Sequence, residues 1–113
     1  MYFDSHCHLD RIDLDDHAGD FGQLLSTIES SGVERMVCIG VTLESFEDMY
    51  ARIAELPQVY CTAGVHPDYE NIEEPTVERL CAFAARDKVV AIGETGLDYF
   101  HQSGHLDWQR RRF

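Results

Sequence analysis

Hydrophobic positions along the chain alternate between short apolar runs and helical stripes. Tyr2 and Phe3 open a strand over about 1–5, which ends in the histidine pair His6 and His8. Residues 11–20 are polar and acidic and predict a loop. Asp20 has the side chain of a helix N-cap. Phe21, Leu24, Leu25 and Ile28 then recur at the spacing of a buried helical stripe, and Gly32 supplies the stop. Met36-Val37-Cys38-Ile39 is continuously apolar, as in a strand covered on both faces. Thr42 caps a second helix with the stripe Phe46, Met49, Tyr50 and Ile53, and Pro57 ends it. A third strand over 59–65 closes with Gly64-Val65-His66-Pro67, followed by an acidic, solvated loop. Val77, Leu80, Cys81 and Ala84 predict a third helix, and Val89-Val90-Ala91-Ile92-Gly93 a fourth buried strand. That strand delivers Glu94 to a loop running through Asp98 and Tyr99, and residues 106–113 begin a fourth helix.

Strands alternating with helices imply an α/β fold with parallel strands and right-handed crossovers. The residues with chemistry, His6, His8, His66, Glu94 and Asp98, gather where strands end. In α/β folds ligands bind at this carboxyl edge, and in barrels it is the catalytic face. His6 and His8 point to one face of a strand, their bases about 6.6 Å apart, within reach of one cation. Imidazole suits zinc, nickel, copper and iron, and tolerates manganese beside carboxylates. Asp4, on the same face, favours a metal over two incidental histidines, and the chain is expected to bring a carboxylate to it. His17, His101 and His105 read as surface residues.

Composition narrows the class. The chain has 113 residues, 44% hydrophobic and 11% aromatic, which suits one globular domain. A net charge of −12 excludes a generic nucleic-acid coat, which relies on Lys and Arg. It leaves room for an enzyme that grips phosphate through metal ions. Cys7, Cys38, Cys61 and Cys81 form no Cys-x-x-Cys pair, so a reduced, cytoplasmic setting is expected. Neither a signal peptide nor a membrane span is expected.

Three blocks carry a family resemblance. Tyr2-Phe3-Asp4-Ser5-His6-Cys7-His8-Leu9-Asp10 resembles the N-terminal signature of the TatD family of metal-dependent deoxyribonucleases. Gly64-Val65-His66-Pro67 and Gly93-Glu94-Thr95-Gly96-Leu97-Asp98-Tyr99 are similar to two further family blocks in the same order, and the likeness runs on to Gln109-Arg110-Arg111. The resemblance implies a (β/α)8 TIM-type barrel, amidohydrolase-like, that hydrolyses phosphodiester bonds of DNA with one or two divalent ions (Zn, Mg or Mn). By it, His6 and His8 hold the first metal. Glu94 is the catalytic carboxylate that ligates and, in two-metal forms, bridges the ions. His66 is implied as a phosphate contact or a group orienting the ligands. Asp98 and Tyr99 shape the loop or touch substrate, with a loop-capping role for Asp98 equally open.

A barrel of this class takes about 250 residues. Residues 1–113 are therefore expected to be the N-terminal portion of one barrel domain, about four βα units. The remaining ligands of the family, two histidines and an aspartate, have no counterpart here, so the chain alone is expected to be inactive or impaired. An unclosed sheet would also leave two edges open to self-association. Two other readings stay open. A PHP-type phosphoesterase or an amidohydrolase also begins with His-x-His. Many amidohydrolases, however, place a carbamylated lysine in mid-barrel, and Lys88 precedes the fourth strand rather than ending it. A non-catalytic half-barrel would bind metal weakly or only associate with itself.

Overall fold

The computed structural model describes residues 1–113. Strands β1 (Tyr2–Cys7), β2 (Val33–Cys38), β3 (Val59–Ala63) and β4 (Val89–Ile92) form one parallel sheet in sequence order. Helices α1 (Phe21–Ser30), α2 (Leu43–Ile53) and α3 (Val77–Ala84) make the crossovers, and α4 (Asp107–Arg112) follows β4. Nearest-neighbour parallel pairing with one helix per crossover is the arrangement of half a (β/α)8 barrel.

Local chemistry starts the helices. Asp20 Oδ1 accepts from the Gly22 amide at 2.7 Å, and Thr42 and Thr76 hydroxyls accept from the Ser45 and Arg79 amides at 3.2 Å. Each cap satisfies an otherwise unpaired amide, a contribution of about 0.5–2 kcal/mol. Gly32, at φ +84°, turns the chain from α1 into β2, a conformation that strains any residue with a Cβ.

The core lies on one side of the sheet. Met36 and Cys38 of β2 and Val59, Cys61 and Ala63 of β3 meet Phe46, Met49 and Ile53 of α2, with Leu9 and Phe83 closing the ends. Phe46 and Phe83 rings sit 4.2 Å apart between centroids.

Several expectations are corrected. The first strand runs on to Cys7, so His6 lies within it, and Tyr2 and Phe3 are exposed. The loop expected over 11–20 begins at the end of one short 3-10 turn, Leu9–Arg11, and contains a second, Asp15–His17. The fourth strand is not buried: Val90 is 55% exposed and Ile92 48%. Val90 shares the helix-free face of the sheet with Phe3, Val37 and Tyr60, and nothing in this chain covers that face. An apolar run reports that both faces are hydrophobic, not that both are covered. The stripe expected on α3 is also rotated. Val77 and Cys81 are exposed, and Phe83 is buried against α2 because an aromatic ring removes more apolar area from water.

At the carboxyl edge the strands are drawn tightly together. A Cβ on Gly40 would sit 2.6 Å from the Thr62 carbonyl oxygen, and one on Gly64 would sit 2.4 Å from the Gly93 carbonyl carbon. Both glycines exist to permit this approach. The Thr62 hydroxyl, in the gap, accepts from the Gly40 amide at 3.1 Å and donates to the Gly93 carbonyl at 2.6 Å. One buried side chain thus ties β2, β3 and β4 at their functional ends.

Candidate metal centre

Backbone bonds across this edge position the site. The Glu94 amide donates to Gly40 O at 2.8 Å, the His66 amide to Val41 O at 2.9 Å, and the Ile39 amide to Cys7 O at 2.8 Å. Glu94 and His66 are thereby fixed to the segment after β2, and that segment to the end of β1. On β1, the Asp4 carboxylate accepts from the His6 amide at 3.0 Å. Asp4 thus fixes the backbone just ahead of His6 instead of joining the histidines at the site.

His6, His8 and Glu94 converge. One ligand atom from each lies within 4.8 Å of the others. The two imidazoles stand edge to face with centroids 5.3 Å apart. Glu94 sits between rings: Oε2 is 3.7 Å from His6 Nε2, and Oε1 is 3.5 Å from His66 Nε2. Both separations exceed a good hydrogen bond, as expected of groups that face a shared space. The cleft they line has a volume of about 270 Å³, and Arg11, Asp68 and Tyr69 complete its rim.

Ring wiring separates the histidines. His8 Nδ1 lies 3.3 Å from the Ile39 carbonyl oxygen. A carbonyl only accepts, so the ring proton belongs on Nδ1 and the Nε2 lone pair is free. His66 is wired in the opposite sense. Its Nδ1 accepts from the Asp68 amide at 3.0 Å, which puts the proton of the neutral ring on Nε2, facing Glu94. His66 therefore offers an N–H donor, while His8 offers a lone pair. Two neutral imidazoles and a carboxylate are ligand types that zinc takes, and a backbone carbonyl behind the ligating ring is a usual orienting partner. The donor set fits a divalent cation.

Cys7 lies between the two histidines in sequence but not in space. Its thiol donates to Val37 O at 3.3 Å, and the hydrogen bond with Cys38 and burial push its pKa well above the ordinary thiol value. It stays protonated and offers no thiolate.

Asp98 stands apart from the cleft. Its Oδ1 accepts from the Phe100 and His101 amides at 2.8 and 2.9 Å, and its Oδ2 pairs with His101 Nδ1 at 2.8 Å. The His101 amide, and then its imidazole, hold the Asp98 carboxyl at about 2, and the same contact raises the His101 pKa. Of the two roles open for Asp98, the capping of its own loop is the one the geometry matches. His101 is exposed as expected, yet it is paired.

Sequence reasoning assigned no role to three residues here. Thr62 is buried in an otherwise apolar strand, and that polar interruption was the available signal. Gln109, 1% exposed, clamps the Asp98 peptide, accepting from its amide at 2.8 Å and donating to its carbonyl at 3.0 Å. Arg112 pairs with Glu74, with Nε–Oε2 at 3.0 Å, and also donates to the Tyr69 carbonyl. It fastens α4 to the loop after β3. Nothing local in the sequence announces Gln109 or Arg112.

Comparison with known proteins shows the family and the fold. The family described as TatD related DNase matches residues 3–113. A protein of Escherichia coli K12 described as an uncharacterized metal-dependent hydrolase, YcfH, is 37% identical over 98 residues, which is 87% of this chain and 37% of that protein. The 3'-5' ssDNA/RNA exonuclease TatD of Cronobacter sakazakii is 36% identical over 85 residues, 74% of this chain and 32% of its own. The crystal structure of YjjV, a TatD homologue from Escherichia coli K12, superposes with a TM-score of 0.77 at 30% identity. It aligns with 98% of this chain and 42% of YjjV. The chain thus spans under half the length of the relatives it matches. With the family matched over residues 3–113 and the fold shared with YjjV, this chain belongs to the TatD family of metal-dependent hydrolases.

Proposed function

We propose that residues 1–113 are the N-terminal portion, about four βα units, of a single barrel domain that cleaves phosphodiester bonds of DNA. The observation that carries this reading is the convergence of His6, His8 and Glu94 within 4.8 Å. The printed name of the Cronobacter relative, an exonuclease on single-stranded DNA and RNA, supports a nucleic-acid substrate.

In this reading His6, His8 and Glu94 would hold a divalent ion, or share in holding two where a pair is bound. Such an ion supplies neutralisation of phosphate charge and an acidified water near neutral pH. The chain's own groups do the rest. His66 donates from Nε2 to a non-bridging phosphate oxygen, because its Nδ1 is already occupied by the Asp68 amide. The Glu94 backbone is held by the Gly40 carbonyl through its own amide, which fixes where its side chain starts at the edge of the sheet. An amidohydrolase with a carbamylated lysine is disfavoured. Lys88 donates to the carbonyls of Leu56 and Val59, at the opposite edge of the sheet. No helix is long and apolar enough to cross a membrane.

The test is metal-dependent hydrolysis of single-stranded DNA by this chain, beside a version continued to barrel length. Cleavage confined to or far faster in the longer form, and abolished by Glu94→Gln, is the expected result. Intact DNA in both, with phosphate released from monoesters, would overturn the reading.

A further inference from the structure

The cleft lies in a chain of net charge −12, so a polyanion approaching it meets net repulsion. One full cation lines the cleft, Arg11. It stands on the 3-10 turn that follows His8, and the position is not accidental. Leu9, buried at 2% exposure, anchors the turn in the core, and the Arg11 amide closes it on the His8 carbonyl at 3.0 Å. The guanidinium is therefore carried on the same rigid segment as His8.

Arg11 Nη1 donates to the Tyr69 hydroxyl at 3.2 Å, a contact between residues 58 apart in sequence. Tyr69 is braced in turn. Its amide donates to the His66 carbonyl at 3.2 Å, and Arg112, itself tied to Glu74, holds its carbonyl. The arginine's own ion pair is weak: Nε lies 3.8 Å from Asp10 Oδ2, on a side chain 43% exposed. Asp10 is also engaged by the Cys38 thiol, at 3.6 Å from its Oδ1. Most of the guanidinium donors thus remain open, pre-oriented at the mouth of the cleft, above the more buried His66 and Glu94. A guanidinium fork suits phosphate oxygens, and bracing lowers the entropy lost when it binds them.

We propose that Arg11, positioned by Tyr69, is a second phosphate-binding point, which takes the phosphate next to the one being cleaved. The cleft would then favour a strand with consecutive phosphates over an isolated phosphodiester. This rests on the phosphodiesterase reading for its meaning, but its test does not need hydrolysis.

The probe is fluorescein-labelled hexathymidylate, bound to this chain in EDTA and followed by anisotropy across a salt series. Arg11→Gln should weaken binding about tenfold, as expected for loss of a charge-assisted contact. It should also flatten the slope of log Kd against log salt by about 0.7, the contribution of one phosphate on a single strand. Arg11→Lys should keep the slope and lose part of the affinity, and Tyr69→Phe should weaken binding without changing the slope. Binding of dithymidine monophosphate, which has one phosphate, should be nearly unchanged by Arg11→Gln. Equal affinity and slope in wild type and Arg11→Gln, or no binding by wild type, would overturn the proposal. If the Arg11 effect appears and the metal-loaded protein hydrolyses no DNA at barrel length, the anion site stands and the phosphodiesterase reading falls.

Discussion

Thr62→Val removes one hydroxyl from the junction of three strands and leaves the shape almost unchanged. Thr62 is buried, and its Oγ1 bridges the Gly40 amide and the Gly93 carbonyl. Valine satisfies neither group. A buried amide or carbonyl left unpaired costs about 1–3 kcal/mol. Gly40 is buried and bears that cost in full, whereas Gly93 is half-buried and water can reach part of it. The sum is about 2–4 kcal/mol, a large fraction of the roughly 5–15 kcal/mol that holds a domain folded. Urea unfolding followed by circular dichroism reads it as a lower midpoint at constant slope. Thr62→Ser keeps the hydroxyl and loses one methyl, so it should cost only about 1 kcal/mol. A valine variant within about 0.5 kcal/mol of wild type, or a serine variant less stable than valine, would refute the bridging role.

Further outcomes follow from the same geometry. Gly64→Ala drives a Cβ into the Gly93–Glu94 backbone and should destabilise the chain by more than Thr62→Val, with zinc affinity by calorimetry falling in step; unchanged affinity would mean that Glu94 is not positioned through this contact. His8→Ala should remove bound metal by elemental analysis while leaving the far-ultraviolet spectrum intact, and metal content equal to wild type would exclude His8 as a ligand. The Asp98–His101 pair should show in an NMR pH titration. Asp98 is depressed to about 2, so its contribution is present above the unfolded value of about 3.9 and is lost as pH falls through 2. His101 is raised, so its contribution is complete below about 6.5 and is lost as pH climbs through the folded value. The loop should thus be best ordered between about pH 4 and 6.5, and Asp98→Asn should bring the His101 midpoint down towards 6.5. A midpoint unmoved by Asp98→Asn would deny the pairing.

What could be read from the chain alone follows from the range of each interaction. Helix caps at Asp20 and Thr42 were legible because a cap bonds an amide two or three residues away. The convergence of His6, His8 and Glu94 was legible because alternating strands and helices force parallel strands, whose carboxyl ends share an edge. The exposure of Val90 and Ile92 was not, since hydrophobic pattern carries no record of what covers a face. The burial of Phe83 in place of the expected α3 stripe required the position of Phe46, which lies a helix away. Nor could spacing tell His66 from His8. Their difference lies in one amide and one carbonyl that the fold brings to Nδ1.

Anomalous diffraction from zinc-soaked crystals, recorded at the zinc edge, addresses the metal centre directly. The expected map has a single strong peak in the cleft, bounded by ring nitrogens of His6 and His8 at about 2.0–2.1 Å and a Glu94 oxygen at about 2.0–2.2 Å, with the His66 imidazole outside the ligand set. A peak held by other residues, or an empty cleft at saturating zinc, would contradict it.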